Sequence, residues 1–144
     1  MIFFKPPEDF LPKFKAMGCF IMHGEEFPLL HRLAHKNEGD TWGLPSGKFD
    51  SQKDDSIHAG MVREIKEETG LTYPSLRLVP LSTLYVRFAD YDFIYTMYKL
   101  IVNIKPQIVI NPNEHDAYLW VTADEALNMK LIEDLDECIK LAFG

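Results

Sequence analysis

Residues 63–71 read REIKEETGL, and this stretch predicts the end of an amphipathic helix. The helix is expected to begin near residue 53, because apolar residues recur upstream at helical spacing. The apolar positions on this face are Ile57, Met61 and Ile65. Gly70 follows the last helical residue, where a left-handed conformation commonly ends a helix. We therefore predict a helix over residues 53–69 whose apolar face packs against a core.

The glutamates of this helix are not placed like ordinary surface charges. Glu64 and Glu68 are four residues apart and fall at the edge of the apolar face. Two carboxylates held together beside a core need a cation, and Mg²⁺ favours carboxylate oxygens together with waters and substrate phosphates. Glu67 can add a ligand or position a water, and Arg63 can orient it through an i, i+4 salt bridge. A solvated surface helix rich in glutamate is the alternative interpretation of the helix by itself.

The surrounding residues resemble the Nudix hydrolase family, whose box reads G-x5-E-x7-R-E-U-x-E-E-x-G-U, with U a bulky aliphatic residue. The resemblance covers residues 47–71, and its matching positions are Arg63, Glu64, Ile65, Glu67, Glu68, Gly70 and Leu71. Asp55 occupies the place of the first Glu, and two extra residues lie between it and Gly47. Residues 42–48 (WGLPSGK) also resemble the usual approach to the box, with Ser46 where Gly is more frequent. Both departures leave the carboxylate helix intact.

The resemblance implies a metal site on this helix. Glu64 and Glu68 match the glutamates that commonly bind metal in the family, and Glu67 would be a further ligand or would orient water. A backbone carbonyl of Ser46 or Gly47 would assist. The implied cofactor is Mg²⁺, with Mn²⁺ as its substitute.

An acidic residue in a later loop is a further candidate. Many family members place one just before a strand that ends in Trp-Val, and here Glu114 precedes Trp120 and Val121. Glu114 is therefore a candidate metal ligand or general base, with a solvated loop acid as the alternative. His115 beside it is interpreted as a loop histidine rather than as a catalytic group.

The chemistry expected of such a site is hydrolysis of a phosphate–phosphate bond. Metal ions offset the charge of the phosphate oxygens, lower the pKa of a bound water and align it with the leaving group. Glu67 or Glu114 would remove the proton of that water, and Arg63 would orient Glu67. Arg32 and Lys48 are candidate substrate-binding residues, although an exposed structural arginine is an equal alternative for Arg32.

The resemblance implies cleavage of a pyrophosphate bond in a nucleoside diphosphate linked to another moiety, or in a nucleoside triphosphate. The alternative is a Nudix-fold binding or regulatory module that holds a nucleotide without cleaving it. Four aromatic residues could stack on a base, although aromatic residues in strands more often belong to the core. These residues are Trp42, Tyr85, Phe88 and Tyr91. The expected partner is a small nucleotide or nucleotide derivative, and homodimers are frequent in the family.

The length, net charge and apolar runs of the chain argue against several other classes of protein. The 144 residues fit one domain, with residues 1–13 as an irregular leader. The formal net charge of −7 argues against a DNA or RNA partner, which needs clustered Lys and Arg. No apolar run approaches the ~20 residues of a membrane span, and the first residues do not resemble a signal peptide. We therefore expect a cytoplasmic protein without membrane contact, in which Cys19 and Cys138 are reduced, buried thiols.

The remaining pattern predicts strands mixed with helices. The predicted strands cover residues 14–23, 27–33, 76–89, 93–103 and 117–121. The first two are expected to pair as a hairpin, and so are the next two. Thr122 and Glu125 fit a capping box that begins a short helix, and residues 132–143 form a last amphipathic helix. These elements indicate an α/β or α+β fold, and the resemblance implies a mixed β-sheet sandwiched between helices.

Overall fold

The computed structural model describes all of residues 1–144 as a mixed α/β chain. Its strands are β1 (Ile2–Phe3), β2 (Pro12–Met22), β3 (Glu26–Arg32), β4 (Trp42–Gly43), β5 (Ser46–Lys48), β6 (Val79–Arg87), β7 (Asp92–Ile101) and β8 (His115–Thr122). Its helices are α1 (Ile57–Thr69), α2 (Ala123–Ala126) and α3 (Leu135–Phe143). A short 3-10 turn, Ser75–Arg77, leads from α1 into β6.

The strands form two sheets. A five-stranded sheet has the order β1-β6-β7-β2-β5, and a three-stranded sheet has the order β4-β3-β8. β2 and β7 run parallel, whereas every other pair of neighbouring strands is antiparallel. The mixed sheet that the resemblance implies is therefore confirmed.

The first predicted hairpin is wrong beyond its turn. His23 and Glu26 exchange two backbone hydrogen bonds across a turn in which Gly24 has a φ of 60°. The two strands then enter different sheets. The second half of β2, from Met17 to Met22, is buried throughout, which is typical of a central strand covered on both faces. β7 pairs with one edge of β2 along its length and β5 with the other edge at Ala16–Gly18, whereas β3 pairs with β4 and β8. The second predicted hairpin, β6 with β7, is confirmed.

α1 is the predicted carboxylate helix, but it begins later than residue 53. Its cap is Ser56, whose side chain accepts a hydrogen bond from the backbone N–H of Ala59 at 3.1 Å. The helix ends at Gly70, which has a φ of 75° and donates its N–H to the carbonyl of Lys66. The predicted end of the helix is therefore confirmed.

Two apolar clusters pack on opposite faces of β2, because successive side chains of a strand point to opposite sides. Met61 and Ile65 of α1 are buried in one cluster together with Met17. Phe20 belongs to the other cluster, which α3 and the three-stranded sheet complete. Each such buried side chain stabilises the fold by about 2 kcal/mol. The five-stranded sheet is thus sandwiched between α1 and α3, as expected.

α3 begins at Leu135, later than predicted. Asp134 before it has a φ of 67°, a left-handed conformation that does not continue a right-handed helix. Within the helix, Leu135 and Ile139 are buried, and the ring of Phe143 stacks on that of Phe27 with centroids 5.4 Å apart. The predicted apolar face is therefore confirmed over the observed length of α3.

The first residues of the chain, the two cysteines and the start of α2 were also predicted from the sequence. Thr122 and Glu125 form the predicted capping box. The leader is not wholly irregular, because Ile2–Phe3 pairs with β6. Cys19 and Cys138 are buried free thiols, as predicted. None of the helices has the length and apolar character needed to cross a membrane.

Candidate functional site

The carboxylates of α1 meet the short strand β5. The side chains of Glu64 and Glu68 are each 13% exposed. The backbone N–H of Ser46 donates a hydrogen bond to Glu68 Oε1 at 2.7 Å. Gly47 lies directly against Glu64, and a Cβ at this position would overlap the Glu64 carboxyl group. β5 therefore supplies a donor to one carboxylate and, through the missing side chain of Gly47, makes room for the other.

Arg63 connects the carboxylates of the site. Its Nη1 donates to Glu64 Oε1 at 2.8 Å and to both oxygens of Glu67 at 3.2 Å. Its Nη2 also donates to the backbone carbonyl of Lys48 at 3.1 Å. The predicted salt bridge between Arg63 and Glu67 is confirmed. Arg63 thus fixes the direction in which Glu64 and Glu67 point.

The loop before α1 adds a further carboxylate, Asp54, next to the residue that occupies the place of the first box Glu. Arg63 Nε and Nη2 donate to the two oxygens of Asp54 at 2.7 and 2.9 Å, a bidentate contact. Asp54 is buried, and this contact lowers its pKa. Asp55, which the box spacing selects, is exposed. Both aspartates precede the helix cap Ser56, so local sequence does not tell which of them contacts Arg63.

Burial dominates the electrostatics of Glu64 and Glu68. It is the largest of the causes that together raise the pKa of Glu68 to about 8; the hydrogen bond from Ser46 opposes it, and the negative charge of Glu64 adds to it. Burial also raises the pKa of Glu64, although the hydrogen bond from Arg63 opposes that shift. Two carboxylates therefore sit side by side in a place where ionising both is unfavourable without added positive charge.

The donor set suits a hard divalent cation. Glu64 and Glu68 offer buried carboxylate oxygens, and the backbone of Gly47 passes close to Glu64. No group of three or more His, Cys, Asp or Glu side chains converges on one point. Waters and substrate oxygens would therefore complete the coordination, as is usual for Mg²⁺. The chemistry of these residues fits the metal that the resemblance implies.

β3 and β8 bring two more predicted residues towards Glu68. Arg32 ends β3 and pairs with the first residue of β8, so Glu114 lies next to it. The negative charge of Glu114 adds to the effect of burial on the pKa of Glu68, whereas the positive charge of Arg32 opposes it. Glu114 Oε1 also contacts Lys36 Nζ at 3.2 Å. The structure thus gathers Arg32 and Glu114 near the carboxylate helix.

His115 does not lie in a loop, contrary to its interpretation from the sequence. It is the first residue of β8, and its side chain is 4% exposed. Burial, followed by the positive charge of Arg32, lowers its pKa to about 4. Its Nδ1 has no hydrogen-bond partner and lies 3.9 Å from Glu68 Oε2. Only the register between β3 and β8 brings it to Glu68, and no local sequence pattern encodes that register.

A cavity of about 190 Å³ adjoins the carboxylates at Gly47. Its aromatic walls are Phe14, Phe88, Tyr91, Phe93 and Tyr95. Lys48 borders both this cavity and the cleft that contains Glu64 and Glu67. The Nζ atom of Lys48 lies 4.3 Å from the centroid of the Phe14 ring. This aromatic cavity and the cleft that contains Glu64 and Glu67 therefore meet at β5.

The four aromatic residues considered as stacking partners divide into two pairs. Phe88 and Tyr91 line the aromatic cavity. Trp42 and Tyr85 do not line it: the ring of Trp42 lies 4.9 Å from that of His31, and Tyr85 packs edge-on against Phe10 with centroids 5.5 Å apart. Phe88 and Tyr91 are therefore the two that remain available to a ligand at this site.

The family model for the NUDIX domain matches residues 12–142. The chain belongs to the Nudix family. A relative, the ADPR responsive transcriptional repressor NtrR of Acinetobacter baylyi, is 30% identical over 117 residues, which are 81% of this chain and 46% of that protein. Nudix hydrolase 2 of Arabidopsis thaliana is 25% identical over 126 residues, 84% of this chain and 43% of that protein. The chain spans less than half the length of these curated relatives.

Solved Nudix structures share the fold. The NUDIX domain of Shewanella oneidensis NrtR, complexed with ADP ribose, superposes with a TM-score of 0.76 at 22% identity and covers 96% of this chain and 91% of its own. The MutT NUDIX hydrolase of Burkholderia pseudomallei superposes with a TM-score of 0.75 at 22% identity, covering 89% of this chain and 96% of its own. At these identities the likeness establishes the Nudix fold.

Proposed function

We propose that this chain is a metal-dependent hydrolase that cleaves a pyrophosphate bond in a nucleoside diphosphate linked to another moiety, or in a nucleoside triphosphate. Its main support is the pair of buried carboxylates, Glu64 and Glu68, on one face of α1. Burial raises the pKa of both, and a divalent cation beside them would favour their ionised forms. Such a cation also attracts phosphate oxygens, which links the site to a phosphate-bearing substrate.

Each residue near the metal has a proposed task. Glu64 and Glu68 would hold Mg²⁺ or its substitute Mn²⁺, the carbonyl of Gly47 would be a further oxygen donor, and Glu67 would orient a water. When bound, the metal supplies positive charge that offsets the phosphate oxygens and eases the loss of a proton from water. Arg63 keeps Glu64 and Glu67 directed into the cleft through the hydrogen bonds described above.

Glu67 and Glu114 are the two candidates for the general base. Glu67 is 48% exposed and held by Arg63, whereas Glu114 reaches the site from the β8 side and is held by Lys36. Replacing the true base with Gln should lower kcat by about 10²- to 10⁴-fold, whereas replacing the other acid should have a smaller effect. Single-turnover rates of Glu67→Gln and Glu114→Gln, measured with saturating Mg²⁺, distinguish the two.

The aromatic cavity and the cleft together suit a nucleotide, which joins a flat base to charged phosphates. Phe88 and Tyr91 would contact the base, while Lys48, between the two spaces, and Arg32 would contact phosphate oxygens. ADP ribose is a nucleoside diphosphate linked to a sugar, and it is bound by the NrtR domain that shares this fold. We therefore place ADP ribose first among the compounds to be tested.

A non-catalytic binding or regulatory module is the second candidate function. The observation that favours it is the relative from Acinetobacter baylyi, an ADPR responsive transcriptional repressor. A module of this kind would bind the nucleotide derivative at the same site and leave it intact. Turnover therefore separates the two functions, and binding alone does not.

The deciding experiment incubates purified protein with ADP ribose, nucleoside triphosphates, dinucleoside polyphosphates and sugar nucleotides, first with Mg²⁺ and then with EDTA. We expect hydrolysis that EDTA abolishes. Glu68→Gln should lower the rate by about 100-fold or more, since it removes a metal ligand itself rather than one of the ligand's neighbours. Glu137→Gln, an exposed glutamate of α3, is the matched control and should leave the rate unchanged.

The opposite results are equally informative. The regulatory module would be favoured if ADP ribose raises the melting temperature of the protein, but none of the compounds is cleaved with Mg²⁺ or Mn²⁺. Full activity of Glu68→Gln would contradict the assigned metal site even if the wild-type protein is a hydrolase.

A further inference from the structure

His115 is a buried polar side chain whose Nδ1 lacks a hydrogen-bond partner. The atom is enclosed, and the whole side chain is 4% exposed. Leaving such a group unpaired costs about 1–3 kcal/mol, so native structures rarely retain one without a reason. Glu68 is the only residue whose carboxylate lies within 4.0 Å of a ring nitrogen of His115, with Oε2 at 3.9 Å from Nδ1.

Glu68 is already held on its other oxygen. Oε1 accepts the backbone N–H of Ser46 at 2.7 Å, whereas Oε2 faces His115 without a donor at hydrogen-bonding distance. The gap between Oε2 and Nδ1 exceeds an ordinary N–H···O distance by about 1 Å. Closing this gap takes a shift of about 1 Å, shared between the Glu68 side chain and the His115 ring.

We propose that His115 donates a hydrogen bond from Nδ1 to Glu68 Oε2 and thereby fixes the orientation of this carboxylate in the site. Glu68 is then held between a backbone donor of β5 and a ring donor of β8. His115 is a positioning residue, because it acts through Glu68. A neutral imidazole has one N–H, so this bond leaves Nε2 as an acceptor.

The inference rests on the proposed function for its effect on metal binding, but the hydrogen bond can be tested without metal. Long-range ¹H–¹⁵N spectra of the wild-type protein at pH 9, where the Glu68 carboxyl with its pKa of about 8 is ionised and can accept a hydrogen bond, report which ring nitrogen carries the proton. The His115 signals are assigned by their loss in His115→Asn. We expect a proton on Nδ1, and a proton on Nε2 alone would overturn the proposal.

Metal affinity tests the consequence. We expect His115→Leu to weaken Mn²⁺ binding, measured by EPR of the free ion, by about 10- to 100-fold, the range observed for groups that orient metal ligands. Asn places an N–H close to the position of Nδ1, so His115→Asn should restore most of the affinity. His115→Gln extends its donor towards the position of Nε2 and should not. His23→Leu, at the far turn between β2 and β3, is the control.

The outcomes separate the two proposals. Equal Mn²⁺ affinity in the wild-type protein and His115→Leu, or no recovery in His115→Asn, would overturn the positioning role of His115. A wild-type protein that binds neither Mn²⁺ nor substrate would overturn the proposed function instead, while the proton position still decides the hydrogen bond. Because Leu could destabilise the fold, melting temperatures of all variants accompany the affinities.

Discussion

Asp54 should be far more important for stability than its neighbour Asp55, although the two residues differ only in position. The Asp54 side chain is 1% exposed and accepts both hydrogen bonds of a bidentate contact with Arg63, which is 20% exposed. It also accepts the backbone N–H of Asp50 at 3.0 Å. Removing one partner of a buried ion pair costs about 3–5 kcal/mol. Because Arg63 keeps its contact with Glu64, we expect the lower end of this range, about 3 kcal/mol, for Asp54→Ala.

Asp55→Ala is the matched control. Asp55 is exposed, and substitutions at such positions usually change the free energy of unfolding by less than about 0.5 kcal/mol. Urea denaturation of the three proteins at pH 7, followed by circular dichroism, measures both changes. Equal effects of the two substitutions, or a loss below about 1 kcal/mol for Asp54→Ala, would refute the assignment of Asp54 as the stabilising carboxylate.

The same pair predicts a dependence on pH. Arg63 lowers the pKa of Asp54 in the folded protein below its unfolded value of about 3.9. A carboxylate with a lowered pKa stabilises the fold above the unfolded pKa, and this contribution is lost as the pH falls through the folded pKa. The difference in unfolding free energy between wild type and Asp54→Ala should therefore be full at pH 7 and shrink below pH ~4.

Two further substitutions test the site and the helix that carries it. Gly47→Ala places a Cβ on the Glu64 carboxyl group. We expect turnover to fall about 100-fold, as for a misplaced reacting group, with little change in melting temperature. Unchanged turnover of Gly47→Ala would show that Glu64 moves freely. Ser56→Ala removes the cap of α1 and should cost about 1 kcal/mol, or roughly 2–4 °C in melting temperature, and Ser51→Ala in the exposed loop before it is the control.

The carboxylate helix could be predicted from the sequence because its determinants are local. Met61 and Ile65 recur at helical spacing, and Gly70 marks the end by a conformation that only glycine adopts easily. The contact between Arg63 and Glu67 follows from one helical turn. These features depend on residues a few positions apart, so the chain itself encodes them.

The partners of β2 and the surroundings of Glu68 could not be predicted in the same way. An apolar run such as residues 17–22 shows that a strand is buried, but it does not state which strand pairs with it. His115 reaches Glu68 only through the register of β8 on β3, and Asp54 reaches Arg63 only through the path of the loop before α1. Asp54 lies nine residues from Arg63 across an irregular loop, and His115 lies in a different element from Glu68, so the periodicity of one helix or strand carries no information about either contact.

The parallel pairing of β2 with β7 also constrains how the chain folds during synthesis. Ala16 of β2 lies opposite Tyr95 of β7, so β2 leaves the ribosome long before its partner exists. Until residues 92–101 emerge, the apolar half of β2 remains an unpaired strand edge that is prone to aggregate. β5, which carries Ser46 and Gly47, hydrogen-bonds to the opposite edge of β2. The carboxylate site therefore becomes rigid only after β7 has joined the sheet, and a shorter nascent chain is expected to lack an ordered site.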